Sequence, residues 1–143
     1  NKGKGYSFSD WLYHKECLAK PHAVFKGLPD RGIMDWDYYG PIIPHFILED
    51  ADLPDEVAAL ALAICHSSKP DGYASGVLNG WYRFGTGWFM VNSLSVLENL
   101  GAHPAADRLL LNMITCVGEK TAIKPVAEPS DFSETMKAIG FDK

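Results

Sequence analysis

The stretch W-Y-R-F-G-T-G-W-F-M-V-N-S-L, residues 81–94, sets large aromatics on both sides of a G-T-G turn. Together with the G-V-L-N-G that precedes it, it predicts a β-hairpin at about 76–92, because glycine supplies the positive φ that a tight connection between antiparallel strands needs. The second arm, residues 88–91, is apolar on successive positions. That pattern predicts burial on both faces, as in a central strand. A dinucleotide-binding turn would instead lead from a strand into a helix whose N-terminus meets the pyrophosphate, and here strand follows strand.

Downstream, Ser95-Val-Leu-Glu98 reads as a capping box opening a short helix, with Gly101 as its stop. His103-Pro104 opens a longer helix. Its apolar stripe is Ala106, Leu109, Leu110, Met113, Ile114 and Val117, at helical spacing. Residues 118–130 read as an exposed connector before a short helix over 133–139. Upstream, E-V-A-A-L-A-L-A-I-C at 56–65 suits either a helix with Asp55 as cap or a buried strand. Residues 42–48 are β-branched and aromatic enough for a strand. Between Pro21 and Pro44, Gly-Leu-Pro and Gly-Pro breaks predict loop with short turns, and Ser9 or Asp10 can cap a short helix carrying Trp11, Leu12, Cys17 and Leu18.

The whole chain has 143 residues, 47% of them hydrophobic and 22% charged, as expected of one globular domain. A net charge of −5 without a Lys/Arg block argues against a nucleic-acid surface, and no apolar run is long enough to cross a bilayer. Partners of those two kinds are not expected. The chain begins N-K-G-K-G-Y without a start methionine or signal peptide, so a piece of something longer is expected. Cys17, Cys65 and Cys116 form no C-x-x-C pair, and the five histidines form no H-x-H or H-E-x-x-H motif. Neither a metal site nor any other cofactor is expected.

Asp35 and Asp37 are the obvious pair of carboxylates for glycoside cleavage, yet two residues apart in a loop they read more simply as turn caps. Cys65-His66 offers a thiol beside an imidazole, but adjacent strand residues point to opposite faces and no G-x-C-x-G or G-x-S-x-G elbow exists. No catalytic residue is assigned. For sugar binding, Trp36, Tyr38, Tyr39, Trp81 and Trp88 could stack on rings while Asp35, Asp37 and Arg83 hold hydroxyls.

P-H-A-V-F-K-G-L-P at 21–29, M-D-W-D-Y-Y at 34–39, the hairpin segment at 78–94 and L-E-N-L-G-A-H-P-A-A-D-R-L-L-L-N-M-I at 97–114 are specific in combination. Over residues 20–117 the chain resembles the C-terminal region of large bacterial proteins related to family-2-type glycoside hydrolases. The resemblance implies an α/β fold: a flavodoxin-like sheet flanked by helices, of the class I glutamine-amidotransferase-like superfamily, similar to the trimerisation domain of some β-galactosidases. It places residues 56–65 on a strand and makes the chain the later part of such a module. Residues 1–117 would then form the α/β domain, and 118–143 a connector with a short C-terminal helix. The motifs carry no catalytic residue, so the resemblance implies a non-catalytic accessory or oligomerisation module. Its partners would be the rest of a larger parent chain, another copy of itself, or carbohydrate, in a periplasmic or secreted setting.

Overall fold

The structure, a computed structural model, describes residues 4–7, 15–44, 46–49, 53–66, 69–85, 87–121, 130–138 and 140. Among them, seven strands share one sheet: β1 (Lys4–Ser7), β2 (Lys15–Ala19), β3 (Gly32–Ile33), β4 (Phe46–Glu49), β5 (Glu56–His66), β6 (Lys69–Phe84) and β7 (Gly87–Asn92). The helices are α1 (Trp36–Tyr39), α2 (Pro104–Thr121) and α3 (Phe132–Ala138), with 3₁₀ turns at Ala23–Phe25, Gly40–Ile42 and Leu97–Asn99.

The sheet runs in the order β1-β4-β6-β5-β2-β3, and β7 lies on the same edge of β6 as β4. Every described pairing is antiparallel. Sheet and helices therefore combine as an α+β arrangement, whereas a flavodoxin-like sheet is built from parallel strands. The reason is connection length. A parallel pair needs a crossover of about a dozen residues or more, while β5 reaches β6 through residues 67–68 and β6 reaches β7 through residues 85–86.

The segment 56–65 is strand, as the resemblance implies, and β6 extends further towards the N-terminus than the sequence reading did. The hairpin forms in the register Phe84↔Gly87 to Asn79↔Asn92, and Gly85 takes φ +60 at its turn; Thr86 lies outside the described residues. Burial on both faces of β7 does not hold. Trp88 and Met90 pack against the core, while Phe89 is 46% exposed and stacks on Tyr82 across the strand pair, with ring centroids 5.0 Å apart. α2 covers one face of the hairpin and leaves the other, which carries Tyr82 and Phe89, outward.

Two other local readings are corrected by packing. The helix expected around Cys17 and Leu18 is strand β2, held between β5 and β3, with Cys17 and Ala19 buried; Ser9 to Leu12 lie outside the described residues. The capping box does not form either. Residues 97–99 make a 3₁₀ turn without a side-chain cap, and Asn99 Nδ2 bonds the Ser95 and Pro41 carbonyls instead. Pro44 precedes a strand that starts only at Phe46, since Ile42 belongs to a 3₁₀ turn and packs in the core.

α2 begins at Pro104 as expected and runs to Thr121, past the boundary drawn at residue 117. Its buried face comprises Ala105, Ala106, Leu109, Asn112, Met113 and Cys116. Ile114 and Val117, expected in that stripe, face outward with Leu111; Ile114 is 60% exposed. They lie one position beyond Met113 and Cys116, about 100° around the helix, so they miss the core. The buried Asn112 donates to the carbonyls of Val24 and Lys26, at 2.9 and 3.0 Å, and ties the helix to the Ala23–Phe25 turn.

Candidate functional site

The eight residues proposed for sugar contact fall into two groups, residues 35–39 on one side and Trp81, Arg83 and Trp88 of the hairpin on the other. Asp35, Trp36, Asp37, Tyr38 and Tyr39 form α1 and its cap, with Asp35 Oδ1 accepting from the Asp37 amide at 2.8 Å. Trp36 is 54% exposed and Tyr38 is exposed beside His103. Tyr39 is core: its hydroxyl donates to the Pro29 carbonyl, and burial pushes its phenol pKa up. Trp81 and Arg83 belong to β6, on the face covered by α2. Trp81 is 1% exposed and offers no ring face to solvent, whereas Arg83 is exposed, with its guanidinium 5.1 Å from the Trp88 ring centroid.

Around Trp81 the fold assembles a cluster that no local motif announces. Glu56, the first residue of β5, is paired in register with Trp81. His22, the cap of the Ala23–Phe25 turn, stacks on the Trp81 ring at 6.3 Å. From the last turns of α2, Lys120 reaches Glu56 Oε1 at 2.7 Å and lies 4.0 Å from the Trp88 centroid and 5.2 Å from that of Trp81. Cys116, Glu119 and Lys120, spaced i, i+3 and i+4, share one helix face. With His22, Ala23, Glu56 and Trp88 they line a cavity of about 250 Å³.

The hydrogen bonds fix the proton inventory. His22 Nδ1 accepts from the Val24 amide at 3.2 Å, which assigns the ring proton to Nε2, 3.2 Å from Glu56 Oε2. The Lys120 ammonium bonded to Glu56 holds its carboxyl below the usual glutamate value, with His22 adding to the effect and partial burial opposing it. Burial pushes the Cys116 thiol up, and Glu119 adds to that. Both imidazole nitrogens are thus engaged away from a thiol that is itself held protonated. This is the reverse of what an activated nucleophile requires. The arrangement pairs Lys120 and His22 with Glu56.

Among the described residues no three His, Cys, Asp or Glu side chains gather as a metal site, and no helix is long and apolar enough to cross a membrane. Cys65 and His66 close β5, but their side chains, like His14 and His45, lie outside the described residues. Sequence reasoning missed His22, Glu56 and Lys120 because they are 34 and 64 residues apart. The available signal was the acid–base–thiol spacing of Cys116, Glu119 and Lys120 on one side of a helix. Compared with known proteins, the chain matches no family model, no curated protein and no solved structure.

Proposed function

We propose that this chain is a non-catalytic accessory module of a carbohydrate-active, glycosidase-like protein, serving in domain packing or oligomerisation. The observation that carries the packing role is the second apolar stripe on α2, where Leu111, Ile114 and Val117 are exposed on the side opposite the core. A helix apolar on two sides is suited to being covered on both, by the remainder of a larger chain or by a second copy. The glycosidase context rests on the resemblance of the 21–114 motifs. The corresponding fold reading, the later part of a flavodoxin-like module, rests there too.

The test is light scattering combined with binding of an apolar dye, on the chain and on Ile114→Glu. The parent chain should self-associate or bind dye, and the variant should do less of both with an unchanged far-UV spectrum. A parent chain that stays monomeric at high concentration without binding dye overturns the packing role.

The exposure of Trp36 and Tyr38 favours a second reading, a carbohydrate-binding module. Its contacts would come from α1, with Asp35 and Asp37, and from Arg83 on the hairpin. Sugar titrations that leave the Trp36 indole signal unmoved would remove it.

A further inference from the structure

We propose that two copies of this chain pair through the open edge of β7, so that the sheet runs on from one copy into the other and their α2 helices pack side by side. The inference rests on the packing reading and names its partner and its surface. β7 is a sheet margin: among the described residues it pairs with β6 alone, and none of its six residues is buried. The Ser93 amide bonds the Leu78 carbonyl at 2.8 Å, and with the register Phe84↔Gly87 this makes Tyr82↔Phe89 and Gly80↔Val91 the hydrogen-bonded pairs. The amides and carbonyls of Trp88, Met90 and Asn92 therefore point away from β6.

Edge strands are ordinarily blunted by charge, proline or a bulge. G-W-F-M-V-N at 87–92 has no charge and no proline, and its register with β6 is unbroken. The strand is also complementary to itself. Antiparallel pairing about a two-fold axis at Met90 sets Trp88 against Asn92 of the second copy and Phe89 against its Val91, an aromatic facing a β-branched side chain. Charge selects the same occupant. The chain carries a net charge of −5, yet β7, Ile114 and Val117 carry none, so a second copy brings no like charge to the contact and a basic partner finds no carboxylate on it.

The exposed flank of α2 lies on the same side of the molecule. Around the helix, Asn112 lies about 60° to one side of Leu109, and Val117 and Ile114 about 80° and 140° to the other. Asn112 packs on the Ala23–Phe25 turn, next to β5. Since β5 and β7 flank β6 from opposite sides, Val117 and Ile114 look out over the β7 edge. A two-fold axis normal to the sheet keeps both helices on one face. Packed helices stand about 8–10 Å apart and neighbouring strands about 4.8 Å, so each helix must sit over the gap between its own β7 and β6. α2 does sit there, with Lys120 against Trp88 of β7 and Trp81 of β6.

The experiment follows amide hydrogen exchange of the 143-residue chain by NMR over about a hundredfold range of concentration. The Trp88, Met90 and Asn92 amides should slow by about fivefold or more in the concentrated sample, while those of Phe89 and Val91, already bonded to β6, change less. A second measurement mixes Phe89→Cys and Val91→Cys chains under mild oxidation, with the parent chain, which keeps Cys17, Cys65 and Cys116, as background. The mixture should cross-link about fivefold faster than either variant alone, because the pairing of residue 89 with residue 91 is what brings two thiols within disulfide reach. Exchange that does not depend on concentration, or cross-linking no faster in the mixture, overturns the edge pairing. Self-association by light scattering with unchanged β7 amides overturns it too, and leaves the packing role standing.

Discussion

Lys120 of α2 and Trp88 of β7 meet as ammonium and aromatic face, with Nζ 4.0 Å from the ring centroid. The contact fastens the last turn of the long helix to the second arm of the hairpin. A double-mutant cycle built on Lys120→Met and Trp88→Leu should give a coupling energy of about 0.5–1 kcal/mol in urea unfolding. Strictly additive single effects would mean that the contact contributes nothing.

Glu56 makes stability depend on acid. Its folded pKa lies below the ordinary value of 4.5, chiefly through the Lys120 hydrogen bond. A depressed carboxyl contributes stability that is fully present above about 4.5 and is lost as pH falls from there through the lower folded value. Melting temperatures should therefore show the parent chain above Glu56→Gln at pH 7, with the gap closing on acidification. A gap independent of pH would contradict the ion pair.

Asn112 is the buried polar residue that holds the Ala23–Phe25 turn against α2. Replacing it by alanine leaves the Val24 and Lys26 carbonyls without that donor, at a cost of about 1–3 kcal/mol by chemical denaturation. An Asn112→Ala chain as stable as the parent would show that water replaces the amide fully.

Gly80 on β6 has no room for a side chain. A Cβ there would lie 2.8 Å from Pro54 Cγ and 2.8 Å from Val77 Cγ1. Gly80→Ala should destabilise by about 1–3 kcal/mol, the usual cost of overpacking. The same substitution at the exposed Gly118, where a Cβ meets nothing within 4 Å, should be neutral or stabilising, because alanine is the better helix former.

The parts of the fold legible in sequence were those carried by local chemistry. Gly85 at its turn, Pro104 at the start of α2 and the positive φ of Gly101 are each dictated by neighbouring residues. Residues 15–19 were not legible, since a cap and scattered apolar side chains suggest a helix until β5 is available as a partner. The exposed position of Ile114 was hidden for a different reason: Met113 and Ile114 are adjacent and equally apolar, and only docking selects which of them is covered. The cluster around Trp81 was the least legible, because its charge pairs join three segments that are remote in the chain. Of the proposed sugar contacts, the caps at Asp35 and the exposure of Trp36 fit a loop reading, while the burial of Trp81 and Tyr39 came from the sheet and the turn packed on it.

The strand order carries a kinetic consequence. β1, β2, β3 and β4 are made first, yet they lie to either side of β5 and β6, which are made later. The β5–β6–β7 meander is the part with short connections, and loop closure favours it as the earliest structure. The β1–β4 and β2–β3 pairs at the beginning of the chain must therefore wait for its middle to be joined into one sheet. Hydrogen exchange during refolding should protect the β5–β6 amides before those of β2, and a nascent chain stopped short of residue 56 would present the edges of β2 and β4 without the strands that cover them.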